Sequence, residues 1–203
     1  MGQVMEASFF TRHPLVKDAL SILIFIIAVL IGTILINTFV FRSYHVVGPS
    51  METTMYTGDR LIVDRIAVTW AQLRGKQYIP DRGAIIVFKN PHFSRGIEDE
   101  YIVKRVIGLP GERVVLKDGV FTVYNSDRPN GFNPDEENKG EPGSPTSGDV
   151  DMVVPDGQVF VAGDHRQGDY SYDSRKGLGT IPSYDIIGPV SWRIFPFNKI
   201  RSF

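Results

Sequence analysis

Residues 19–41, "ALSILIFIIAVLIGTILINTFVF", hold no charged side chain. As a helix, 23 such residues would reach about 34 Å at ~1.5 Å per residue, against a bilayer hydrocarbon core of ~30 Å. A helix on a soluble domain keeps a polar side, and this run has none. A cleaved secretory signal has an apolar region of roughly 7–15 residues and a small-x-small cleavage site. Here the run is longer and leads through Phe39 and Phe41 to Arg42. The reading is a retained anchor that divides the chain into a tail (1–18), a transmembrane helix (19–41) and a domain (42–203). Arg12 and Lys17 precede the span, offset by Glu6 and Asp18, and Arg42 follows it. Counting positive charges predicts a cytoplasmic N-terminus and an extracytoplasmic domain.

Beyond the anchor the pattern changes to short β-branched runs. These are 44–48, 60–66, 84–89, 100–108, 112–125, 158–163 and 185–194. Asp118-Gly119 falls between two apolar stretches, a strong hairpin signal. The expected fold class is therefore an all-β domain of antiparallel sheets tethered by one helix. Residues 126–150, rich in Pro, Gly, Asn and acidic side chains, read as an exposed, mobile insertion. The stretch 66–80 is ambiguous: Trp70 and Tyr78 suit either a core or a lipid interface.

Bulk properties narrow the function classes. With a net charge of −1 there is no global electrostatic case for a nucleic-acid partner. The absence of cysteine excludes disulfides and thiolate chemistry. His13, His45, His92 and His165 are scattered without metal-binding spacing, so no metal site is expected.

Three stretches can carry chemistry. In "VVGPSMETTM", 46–55, Gly48-Pro49 marks a turn that displays Ser50, either an ordinary turn serine or a nucleophile. A serine nucleophile needs a base. The G-x-S-x-G elbow fails at Glu52 and S-x-x-K fails at Thr53. A lysine can serve if burial lowers its pKa. Lys104, within "YIVKRVIGLPG", shares a strand face with Ile102 and Val106, while Arg105 points the other way. Its alternative is an edge-strand lysine that discourages aggregation. Finally, "AGDHRQGDYSYDSRKG", 162–177, gathers Asp164, Arg166, Asp169, Ser171, Asp173, Ser174 and Arg175. It reads as a solvated loop or as a shell that supports a buried base.

Taken in order, the anchor, Gly48-Pro49-Ser50-Met51, Gly58 to Val63, "RGAIIVF" (82–88), Lys104 to Gly111, Gly163 to Arg166 and Ser171 to Arg175 resemble bacterial type I signal peptidases. The resemblance implies a membrane-bound serine protease that cuts signal peptides from exported preproteins at the outer face of the cytoplasmic membrane. It implies antiparallel sheets and a groove that takes substrate as an added strand, with small residues at substrate positions −1 and −3. It further implies Ser50 as nucleophile, Lys104 as general base, Ser171 orienting the amine and the Ser50 N–H as oxyanion donor. Asp173, Arg175 and Arg105 would form a supporting ion-pair set. Signal peptides, phospholipid and the protein-export machinery are the partners implied, and no cofactor is needed. Some members carry a serine where Gly48 stands, which leaves a second oxyanion donor unidentified. His165 replaces the usual Asn, Ala84 and Glu112 replace aspartates, and the 163–175 stretch is about two residues longer than usual. Three other readings compete: a peptidase with one dedicated substrate, a non-catalytic binding homologue, and a self-cleaving repressor. The span and the lack of a DNA-binding helical module oppose the last.

Overall fold

In the computed structural model, residues 14–96, 99–138, 142 and 145–203 are described. Helix α1 (Pro14–Phe39) starts on a proline, whose fixed φ and missing N–H suit a first helical turn. It buries none of its apolar length and is long enough to cross a membrane. The helix stops two residues before the end of the apolar run. Phe41 already pairs with Asp64 as the first residue of strand β1 (Phe41–His45), opposite β2 (Arg60–Asp64). The ladder takes over the backbone groups that the helix would otherwise hold. This strand begins earlier than the expected 44–48 and ends before Gly48, whose φ of 88° opens a turn. Of the expected tail, residues 1–13 lie outside the described residues.

Strands β3 (Ile85–Lys89), β4 (Tyr101–Gly108), β8 (Gln158–Ala162), β9 (Ile181–Pro182), β10 (Ile186–Phe195) and β11 (Arg201–Ser202) join the first two in one antiparallel sheet. The order is β1-β2-β10-β3-β4-β8-β9, with β11 on β10. A second sheet pairs β5 (Arg113–Lys117) with β6 (Val120–Tyr124) and β7 (Val150–Val153). Asp118 and Gly119, both at positive φ, turn the β5–β6 hairpin. The all-β expectation therefore holds for the domain.

The period-2 alternation of β3 divides its side chains between two cores. Ile85 and Val87 pack with Met51, Met55, Leu61 and Val63. Ile86 and Phe88 pack with Val106, Val159 and Val161. Neighbouring β4 is likewise covered on both faces, so Lys104, opposite Ile86, and Arg105, opposite Ile85, are both buried. An alternating in-and-out strand had predicted only the first.

Two further segments add to the sequence reading or revise it. Residues 66–80 contain an eight-residue helix, α2 (Ile66–Leu73), of which only Val68 is buried. Trp70 is exposed beneath the Arg74 guanidinium, whereas Tyr78 packs on the core around Phe88. The segment read as a mobile insertion is structured in its described parts. Phe132 bridges to Val123, and a short helix, α3 (Pro134–Glu137), is capped by Asn133. Asp135 and Thr146 are buried. Low aliphatic content misled here because the stabilising partner is a distant cation: Arg166 donates to both Asp135 carboxylate oxygens, 2.7 Å for Nη2–Oδ1.

Removing one member of a buried ion pair leaves the other charge uncompensated and costs about 3–5 kcal/mol. Asp135→Ala is therefore expected to destabilise the domain on that scale in urea denaturation. Wild-type stability in this variant would mean that the segment is dispensable.

Candidate active site

Ser50 sits on a tight turn. The Glu52 N–H donates to the Pro49 carbonyl, and the Met55 N–H donates to that of Met51. Met51 and Met55, fully buried, pin the turn to the core. Asp59 fastens its far end, taking the Tyr56 N–H and the Arg193 guanidinium, each at 3.0 Å. Burial of Asp59 with Arg193, from opposite ends of the domain, gives the "GDRLIV" stretch a holding role that its residue types did not announce.

From β4, Lys104 reaches the same point. Its Nζ lies 2.8 Å from Ser50 Oγ and 2.9 Å from the Val103 carbonyl. The lysine is only 3% exposed. Burial lowers its pKa from 10.5 to about 8, against the carboxylates of Asp173 and Asp164, which raise it; Arg175 lowers it further. A neutral amine at that distance can take a hydroxyl proton. Both residues line a cleft of about 900 Å³ whose walls include Tyr44, Val46, Val87, Ile102 and Tyr172.

The 163–175 loop packs behind the pair. Ser171 is buried beside Gly163: a Cβ on Gly163 would come within 2.1 Å of Ser171 Oγ and 2.4 Å of the Ser50 carbonyl oxygen. Only glycine fits between them. The Ser171 hydroxyl donates to Asp173 Oδ2 at 2.6 Å, and the Lys104 amine instead contacts Ser50 and Val103. Ser174 is a stitch of the loop, accepting from the Val161 N–H and donating to the Gly179 carbonyl.

The expected set of Asp173, Arg175 and Arg105 resolves into two separate pairs. Asp173 takes the Arg175 guanidinium and the Gly163 N–H. Its burial alone would raise the carboxyl pKa, but the Arg175 hydrogen bonds hold it below the usual range. Arg105 instead forks onto Asp164, 2.8 and 2.6 Å, and donates to the Gly83 carbonyl. Asp164 had no assigned partner in the sequence, because strand and loop meet only through the fold. Glu112 joins Arg82, Asn125 and the Leu109 N–H, so it braces the frame around β4. Gly48 offers no second oxyanion donor, since its N–H is given to Thr57 Oγ1 at 3.0 Å. Among the described residues no group of three or more His, Cys, Asp or Glu is gathered for a metal ion.

A family model and curated relatives give the same family. The family model described as "Signal peptidase, peptidase S26" matches residues 17–195. Signal peptidase I of Bacillus licheniformis is 35% identical over 182 residues, covering 87% of this chain and 88% of the relative. Signal peptidase I T of Bacillus subtilis (strain 168) is 35% identical over 178 residues, covering 87% and 84%. A crystal structure of a signal peptidase I from Enterococcus faecalis V583 is 25% identical, covers 56% of this chain and 98% of that one, and superposes with a TM-score of 0.41.

Proposed function

The chain belongs to the signal peptidase family, peptidase S26, enzymes that remove signal peptides by serine protease chemistry, and on that premise we propose that Ser50 is its nucleophile and Lys104 its general base. The observation that carries this reading is the 2.8 Å approach of Nζ to Oγ at a cleft, by an amine whose pKa is brought down to about 8. Neutral Lys104 takes the hydroxyl proton as Ser50 Oγ attacks the scissile carbonyl. The ammonium so formed protonates the leaving amine, which departs with the mature protein. A water then gives its proton to Lys104 and attacks the acyl carbon, releasing the signal peptide's carboxylate and restoring Ser50. The Ser50 N–H donates to the oxyanion in both tetrahedral states. Ser171 acts on the base through Asp173, whose charge faces the lysine, and the Arg175 and Arg105 pairs hold the loop and strand in register.

In the same reading α1 anchors the enzyme in the cytoplasmic membrane with its N-terminus inside and residues 42–203 outside. Preproteins are its substrates, the lipid bilayer is its support, and the export machinery delivers to it. Thr69 Oγ1 donates to the Phe39 carbonyl at 2.9 Å, which sets α2 against the end of the anchor. Ile66, Trp70 and Leu73 are exposed at that level, as a helix resting on the bilayer requires.

The test is cleavage of a preprotein by the full chain purified in detergent. One cut is expected after a small-x-small sequence. The same preprotein with a bulky residue at position −1 should stay intact. Failure to cut any of several unrelated preproteins would favour an enzyme with one dedicated substrate.

A further inference from the structure

His165 touches the nucleophile turn twice. Its backbone N–H donates to the Ser50 carbonyl at 3.1 Å. Its ring nitrogen Nδ1 lies 3.2 Å from the Pro49 carbonyl oxygen. A carbonyl only accepts, so Nδ1 carries the proton. These two oxygens belong to the two peptide units that flank the Ser50 Cα. One residue thereby restrains both planes, and with them the φ and ψ of Ser50. We propose that His165 is a positioning residue that fixes the Pro49–Ser50 peptide so that its N–H points at the oxyanion.

The link is covalent geometry. The Pro49 C=O and the Ser50 N–H belong to one planar, trans peptide and point in opposite directions. A donor that holds the oxygen therefore aims the N–H. Hydrogen bonding at the oxygen also polarises the amide and makes its N–H a stronger donor. The Glu52 N–H shares the Pro49 oxygen at 3.0 Å, so the ring adds a second restraint rather than the only one. The ring is itself held, stacked on Tyr170 with centroids 4.5 Å apart. Tyr170 lines the cleft, which places the clamp one side chain from bound substrate. Gly163 completes the arrangement, since any side chain there would push on the Ser50 carbonyl that His165 grips.

This inference rests on the reading of Ser50 as nucleophile and of its N–H as oxyanion donor. Two variants isolate the ring contact while leaving the backbone N–H in place. His165→Leu keeps branching at Cγ but has no donor. His165→Asn puts an N–H at the δ position, where Nδ1 stands. Losing a direct oxyanion donor lowers kcat by about 10²–10³. Losing one of two restraints on that donor should cost less, roughly tenfold to thirtyfold in kcat for His165→Leu. KM should change little, because the oxyanion exists only past the ground state. His165→Asn should recover kcat to within about threefold of wild type.

A Leu variant with wild-type kcat, an Asn variant as slow as Leu, or an effect confined to KM would overturn the assignment. Ser50→Ala in the same preprotein-cleavage assay separates the two levels. If it is inactive while His165→Leu is unimpaired, this inference alone falls. If it cleaves, the nucleophile falls and the clamp with it.

Discussion

Ser50→Ala and Lys104→Ala are each expected to lower preprotein cleavage by about 10⁴-fold or more, because the members of a nucleophile–base pair act as a unit and neither works alone. Loss of activity through unfolding has to be separated from loss of chemistry, and Lys104 permits this. Its pKa is about 8 in the folded protein, against 10.5 ordinarily. Below pH 8 the fold must hold an ammonium that the unfolded chain would keep in water. That penalty is about 3 kcal/mol. It shrinks as pH rises from 8 towards 10.5, the window in which the unfolded chain binds the extra proton. Lys104→Met fills similar space without the charge. It should be inactive and yet melt above wild type at pH 7, with the difference closing by pH 10. Near-normal cleavage by Ser50→Ala or by either Lys104 variant would remove the dyad. A Lys104→Met protein that melts lower than wild type would mean the lysine is not held at a cost.

Some features of the site are legible in the sequence because their physics is local. A Gly-Pro turn displays Ser50 whatever surrounds it, and an apolar strand buries whatever lies on its inward face, including Lys104. The hairpin at Asp118-Gly119 and the uncharged N-terminal helix are local in the same sense. What the sequence concealed depends on partners far along the chain. Arg105 meets Asp164 and Asp135 meets Arg166, across 59 and 31 residues respectively. No periodicity records such pairs. For that reason an acidic, Pro/Gly-rich segment read as unable to order itself, although Asp135 within it is buried against a guanidinium. Arg105 was expected on an outward face because alternation assumes one solvated side, and β4 has none. The α2 helix was missed because eight residues with one buried position carry almost no helical signature. His165 stood out only as a departure from its family. Its two contacts with the serine turn depend on how the loop folds back, which neighbouring residues do not encode.

The pH dependence of kcat/KM should report Lys104 directly. The base must be neutral in the free enzyme, so the rate rises with pH until the ammonium has lost its proton, then levels. Burial is the main cause of the lowered pKa, and it sets the acidic limb near 8. Below that point the rate should fall about tenfold per pH unit, close to 10³-fold by pH 5. A histidine base would set its limb nearer ~6.5. His45 lines the cleft, and His165 holds the serine turn. His45→Ala and His165→Asn should both keep the limb at its wild-type position. Asp99 supplies a second, opposite check. Its carboxylate lies on the cleft and raises the Lys104 pKa. Asp99→Asn should therefore move the limb to lower pH and leave the plateau rate little changed. A limb near 6.5 that disappears in His45→Ala would transfer the base to histidine. A limb near 8 that follows the charge at position 99, and ignores both histidines, can come only from a group that feels that carboxylate, and Lys104 is the one in contact with Ser50.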